Sequence, residues 1–319
     1  MTESDSSGRR TLRRLALLCV ALLLATTSLS AFMRLSQSGL GCAEGPACYG
    51  AQLRELQLGI GVHAPVPTAI ELARLLHRVV ATLALVLVAA MVVLARNARP
   101  AIAGAATLAN TLLALALGLA VLGVATPGAR LPVVAMGNLL GGLAMLALCW
   151  RLVGRLASDR AVTAATAQTG LGPWATAGIA LVAAQVVSGA LVSASYSALS
   201  CSGLGECLQN AQATGWDLRS LNPWHEPRFD ASLAPVHPAG APVQLLHRAG
   251  AAVLLPVLVL LAIAAWWRGR QRAALAVLGL TLVQLALGLA MVTLGMPLPL
   301  VLLHNAVAAL LLAVLVRLV

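Results

Sequence analysis

Eight apolar runs, separated by shorter polar stretches, divide this chain of 319 residues. They lie near 15 to 33, 70 to 95, 101 to 124, 132 to 150, 172 to 196, 242 to 267, 273 to 295 and 299 to 316. A helix needs roughly 20 residues to cross about 30 Å of hydrocarbon, so each run predicts a membrane-spanning helix. The expected fold class is therefore all-α, a polytopic membrane protein with eight transmembrane helices. The first run follows Arg9-Arg10-Thr11-Leu12-Arg13-Arg14 and carries Ser28-Leu29-Ser30-Ala31 near its end, so it also resembles a secretory signal. It is longer than a usual signal core and its counterpart recurs as the fifth run, which favours a retained helix.

The pattern repeats. Gly39-Leu40-Gly41-Cys42 through Cys48 matches Ala198-Leu199-Ser200-Cys201 through Cys207, with five residues between the cysteines in both copies. A shared Leu-Ala-Leu-Gly-Leu-Ala core, ending at Ala120 and Ala290, ties the third run to the seventh. These matches predict two tandem four-helix bundles. Because each half has an even number of spans, the copies share one orientation and are related by a pseudo-two-fold axis along the membrane normal. The expected organisation is a leader at 1–14, a first half at 15–156, a polar linker at 157–171 and a second half at 172–319.

Composition agrees with the spans: 60% of residues are hydrophobic and 10% charged, and mean hydropathy is +0.91. A net charge of +11 raises the question of nucleic acid, but all 21 basic residues are arginines, mostly clustered between apolar runs. That distribution is a topology signal and excludes a nucleic-acid footprint; membrane lipid is the expected surrounding. Arg9, Arg10, Arg13, Arg14, Arg96, Arg99, Arg151, Arg155, Arg160, Arg268, Arg270, Arg272 and Arg317 all fall on one side, so both termini are expected in the cytoplasm. The short polar leader favours a bacterial inner membrane.

Both cysteine pairs then face the oxidising side. An intraloop disulfide, Cys42 with Cys48 and Cys201 with Cys207, is the natural reading. A metal site is the rival, although the spacing does not fit zinc and no second pair adjoins either one. Cys19 and Cys149 fall within spans as core residues. His63, His225 and His237 fall in loops, where a solvated side chain is the simplest reading.

His77, His247 and His304 lie inside spans. A histidine in a membrane helix is costly without a role. Each sits about five to seven residues from the outer end of its span, about 8 to 11 Å deep at 1.5 Å per residue. Equal depth suits two ligands to one flat porphyrin, so His247 and His304 form a candidate axial pair for haem iron. The alternative is packing or proton relay. Arginine follows two of these histidines, as Arg78 and Arg248, where a guanidinium can pair with haem propionates or snorkel to the interface.

The duplicated eight-span plan, the His77-Arg78 and His247-Arg248 dipeptides, and a first loop reading from Arg34-Leu35-Ser36-Gln37-Ser38 to Pro46-Ala47-Cys48-Tyr49-Gly50 resemble the haem A synthase family of cytochrome oxidase assembly. The resemblance covers nearly the whole chain after about residue 15. It implies an oxidoreductase that oxidises the C8 methyl group of haem O to the formyl group of haem A. It further implies a haem b cofactor in the carboxy-terminal half and a substrate haem O, with iron near His77, in the amino-terminal half. Haem O synthase becomes an expected partner, and the electron acceptor is not identified. Gly118, Gly288 and neighbouring small residues permit close helix contact within the bundle or in a homo-oligomer.

Two positions depart from the family pattern. The family places a further histidine on the fourth span, but alignment of the last spans of the two halves puts Gly137 where the second half has His304. Glycine cannot ligate iron, and Asn138 points about 100° away around the helix. The family commonly carries a glutamate three residues before the span-two histidine; Arg74 stands there, and Glu71 lies one turn earlier. Glu71 is the candidate catalytic acid, with an interfacial carboxylate paired to Arg74 or Arg78 as the alternative. Two functional classes follow: a haem A synthase-type enzyme, or a non-catalytic haem-binding assembly or electron-transfer protein. A transporter is disfavoured because no ionisable network is visible at mid-membrane depth.

Overall fold

In the computed structural model the described residues are 3–37, 68–98, 101–126, 131–157, 171–225 and 238–318. They form nine α-helices and three short 3₁₀ turns, with no strand among them. The eight long helices are α1 (Glu3–Gln37), α2 (Thr68–Asn97), α3 (Ala105–Ala125), α4 (Pro132–Ala157), α5 (Gly172–Ala194), α7 (Ala241–Trp267), α8 (Gln271–Thr293) and α9 (Leu298–Leu315), and each is long and apolar enough to cross a membrane. The protein is a polytopic, all-helical membrane protein. The short α6 (Leu204–Ala213) lies in the connection between α5 and α7.

Packing follows the repeat. Helix α1 packs on α2 and α4, and α3 on α2 and α4; likewise α7 packs on α5 and α8, and α9 on α8 and α5. The two groups meet where α4 touches α5 and where α9 touches α1 and α4. Glycines permit two of the close approaches on α4. A Cβ on Gly141 would come within 2.6 Å of Leu119 on α3, and one on Gly142 within 2.8 Å of Thr27 on α1.

Two helices outrun their apolar segments. Helix α1 begins at Glu3, twelve residues before the run at 15, and takes in the four arginines expected to form a leader. Leu12 is buried in the first hydrophobic core with Ala16 and Cys19, so the helix continues because one face still packs. Helix α4 continues to Ala157, past the predicted end at 150, because Leu152, Val153 and Leu156 join the same core. Arg9 Nε donates to Leu156 O at 3.0 Å and satisfies a carbonyl in the last turn of α4.

The two largest cores sit away from the Cys201–Cys207 connection, beside which smaller clusters form around Met136 and Val243 and around Cys207 and Ala241. In the first group Val88, Met91, Leu112, Leu146 and Leu152 are packed together; in the second, Leu258, Val277, Leu311 and Leu315 are. On two helices burial is interrupted between the ends. Helix α2 has no fully buried residue from 74 to 83, and α7 none from 245 to 257. These stretches contain His77 and His247.

Candidate functional site

His247 lies six residues beyond the start of α7, and His304 six beyond the start of α9. Each is therefore about 9 Å along its axis from the first residue. The two imidazoles are close enough to interact electrostatically. His77 lies nine residues beyond the start of α2, about 14 Å along it, because that helix begins at Thr68.

The seats of the two paired histidines are built from their neighbours. A Cβ on Gly189 of α5 would come within 2.9 Å of His247 Cε1, so glycine there lets the ring lie against the α5 main chain. Ser188 Oγ is 2.9 Å from His247 Nδ1, and Gln185 Nε2 is 3.1 Å from the same atom. Gln185 also donates to His247 O at 2.8 Å. On α8, Gly288 borders His304, with a built Cβ 3.5 Å from Cε1. His304 Nδ1 is sealed from solvent without a hydrogen-bond partner, and so is Gln284 Oε1. A buried polar atom left unpaired costs about 1–3 kcal/mol.

These residues fit an axial pair for a haem. Two imidazoles on α7 and α9, each six residues beyond its helix start and each against a glycine, are a donor set that could hold a bis-histidine haem. The sealed Nδ1 of His304 belongs to a ring whose other nitrogen would bind iron. Arg248, next in sequence to His247, is directed to the cysteine loop: Nη2 donates to Cys201 O at 3.1 Å and Nη1 to Cys207 Sγ at 3.3 Å. Cys201 and Cys207 are disulfide-bonded with a Cα–Cα distance of 4.9 Å. The carboxylate of Glu206, outside the spans, is held below the usual range by the Ser202 hydroxyl and then by the Ser202 main-chain N–H, with a smaller contribution from Arg248. Gln244 Nε2 donates to Ala198 O at 2.6 Å, which fastens the first turn of α7 to the same connection.

The first half is arranged differently. His77 is half-buried, and Glu71, Arg74 and Arg78 on the same helix are exposed. Gly137 on α4 faces α3, where a Cβ would meet Leu122 Cδ2 at 3.1 Å. Cys42 and Cys48 lie outside the described residues.

Sequence reasoning missed α6 and the two glutamines. Helix α6 buries Cys207 and Ala211, four residues apart, a helical spacing obscured because neither is a large apolar residue. Gln185 and Gln284 are polar residues deep inside apolar spans, each four residues before a glycine, and that position was the available signal.

Comparison with known proteins accords with this arrangement. A Shewanella oneidensis protein named Heme A synthase is 29% identical over 300 residues, covering 90% of this chain and 89% of that protein. The family described as Cytochrome oxidase assembly protein matches residues 13–316, a stretch that takes in all three span histidines and both groups of helices. The chain belongs to that family, COX15-CtaA.

Proposed function

We propose that this protein is a haem A synthase-type membrane oxidoreductase that converts haem O to haem A for cytochrome oxidase assembly. The observation that carries this reading is the family match across residues 13–316, which includes His77, His247 and His304 rather than one half alone. The reaction oxidises the C8 methyl group of haem O to a formyl group, so an oxygen atom must be added and, with water as its source, protons and electrons must leave to an acceptor.

The division of labour follows the two halves, read as tandem four-helix bundles at 15–156 and 172–319 related by an axis along the membrane normal. His247 and His304 hold a haem b, which supplies electron transfer when bound. The substrate haem O occupies the thinly packed region around His77, with His77 as its iron ligand. Gly137 offers no second ligand, so His77 would be the one iron ligand that this half supplies. Glu71 is the acid nearest His77 in sequence and serves proton transfer at the end of α2. Arg78 meets the substrate propionates. Arg248 uses two of its five N–H donors on the disulfide loop and retains others for the haem b propionates. A Cys42–Cys48 disulfide completes the repeat in the first half. Both termini face the cytoplasm of a bacterial inner membrane, and haem O synthase delivers the substrate.

A second reading, a haem-binding assembly or electron-transfer protein without catalysis, is favoured by the same asymmetry: Gly137 at the position that matches His304, and Arg74 in the acid's expected place. Expression with a haem O supply, followed by extraction and mass analysis of the haems, separates the two. The enzyme yields haem A or its hydroxylated intermediate. Recovery of unconverted haem O beside protohaem, with an electron acceptor present, would establish the second reading.

A further inference from the structure

At the end of the helices opposite the Cys201–Cys207 connection, arginines from both groups converge. Arg317 lies two residues beyond α9. Its main-chain N–H donates to Val314 O at 3.2 Å, and Leu318 beside it is buried in the second core, so the position is fixed. From there the side chain reaches across to α4. Its Cζ lies 5.5 Å from the centroid of the Trp150 ring, within range of cation–π attraction. A Cβ on Gly154 would come within 2.7 Å of Arg317 Nη1, so the glycine leaves the room that the guanidinium fills. Trp150 and Gly154 are four residues apart and share one helix face. In the alignment that sets Gly137 against His304, Arg317 falls on Trp150, so two matching positions of the repeat touch each other.

Two further arginines close on this one. Burial, and after it the like charges of Arg13 on α1 and Arg270 ahead of α8, hold the Arg317 pKa below its ordinary value. The main chain at Arg270 is well anchored. Gly269, at φ +74°, ends α7; its N–H donates to Trp266 O at 3.0 Å and that of Arg270 to Ala265 O at 2.9 Å, the paired bonds of a Schellman turn. Arg270 Nη1 is sealed from solvent without a hydrogen-bond partner. A buried guanidinium N–H left this way is costly and calls for an acceptor. The acidic side chains among the described residues, Glu71, Glu206 and Asp217, all lie at the opposite end of the helices. Like charges gathered between helices repel, and an anion placed among them turns that repulsion into attraction.

We propose that Arg13, Arg270 and Arg317 form a site for the phosphate of an anionic phospholipid headgroup, which ties the two groups of helices together. A guanidinium cluster suits phosphate because each planar fork can offer it two parallel N–H donors. The depth of the site argues for a lipid over a dissolved ion. Trp266 and Trp267 are exposed at the end of α7, at the level where aromatic side chains meet headgroups. Leu17 lies one turn beyond Arg13 on the same face and is exposed as well, which gives an acyl chain an apolar surface beneath the phosphate. A basic pocket between spanning helices at this depth is the expected seat for such a headgroup.

The test uses the purified full-length protein, delipidated in detergent and titrated separately with phosphatidylglycerol, phosphatidylcholine and inorganic phosphate. Bound phospholipid is counted by native mass spectrometry, beside the melting temperature, so a variant that melts early still reports occupancy. Phosphatidylglycerol is expected to bind and to raise the melting temperature, with affinity falling about fivefold in each of Arg13→Gln, Arg270→Gln and Arg317→Gln. Gly154→Ala keeps every charge but displaces the Arg317 guanidinium from α4, so it should weaken binding too. Arg268→Gln removes an exposed charge outside the cluster and should leave binding unchanged. Equal losses in Arg268→Gln and Arg317→Gln, or no loss in Arg270→Gln and Gly154→Ala, would overturn the site in favour of diffuse surface attraction. Equal stabilisation by inorganic phosphate or by phosphatidylcholine would overturn the anionic lipid as its occupant.

Discussion

The two halves share a helix plan and differ where iron would sit. On α9 the seventh residue is His304, bordered by Gly288; at the corresponding place on α4 stands Gly137, bordered by Leu122 at 3.1 Å from a built Cβ. On α5 a glutamine, a serine and a glycine surround His247; the α1 positions that match the glutamine and glycine hold Thr26 and Ser30. Duplication fixes the scaffold, whereas the chemistry of each copy is set by a few small and polar residues facing its lumen. A half with two span histidines would suit a resident cofactor, and a half with one would suit a substrate that must enter and leave.

The largest effect should come from removing the ligands one at a time. His304→Ala is expected to abolish the six-coordinate low-spin spectrum, and His77→Ala to leave it intact while reducing haem A formation to background, as read by haem extraction. Loss of the low-spin signal in His77→Ala would erase the distinction between the halves.

The next effect concerns the glycines. Gly189→Ala puts a Cβ 2.9 Å from the His247 ring, and Gly288→Ala puts one 3.5 Å from His304, an ordinary contact. Overpacking of this kind costs about 1–3 kcal/mol. Thermal unfolding of the haem-bound protein should therefore fall for Gly189→Ala and hold for Gly288→Ala. Gly118→Ala, with nothing within 4 Å, should be neutral.

A gain of function sharpens the comparison from the other side. Gly137→His combined with Leu122→Ala, which clears the facing side chain, is expected to convert the substrate iron from high-spin to low-spin when haem O is supplied. It should also slow conversion, because a second ligand closes the open face.

Smaller effects belong to the disulfide connection. Its loop carries Arg248's two contacts, so Cys207→Ser should weaken haem retention in the second half less than His304→Ala does. Glu206 contributes through its depressed carboxylate: the stabilisation is present above the ordinary value of 4.5 and is lost as pH falls through the lower folded value. A melting curve of Glu206→Gln should match wild type in acid and fall slightly below it near neutrality.

Much of this was legible in the sequence, for definite reasons. All eight spans were visible because a membrane demands long apolar runs, while the division into two halves rests on the repeated cysteine spacing and Leu-Ala-Leu-Gly-Leu-Ala core of the sequence. The extensions of α1 and α4 were hidden because arginines interrupt the apolar run while Leu12, Leu152 and Leu156 keep one face packed. Gln185, Ser188 and Gln284 were hidden for another reason. Gln185 and Ser188 meet His247 across from α5, which only the packing shows, and Gln284 is marked only by its burial without a partner.

The central claim is that one half holds a two-ligand haem and the other a one-ligand haem. Electron paramagnetic resonance of the ferric wild-type protein, loaded with haem b and haem O, tests it most directly. The account predicts one low-spin signal, lost in His304→Ala, and one high-spin signal, lost in His77→Ala. Two low-spin signals, or a low-spin signal lost in His77→Ala, would contradict it.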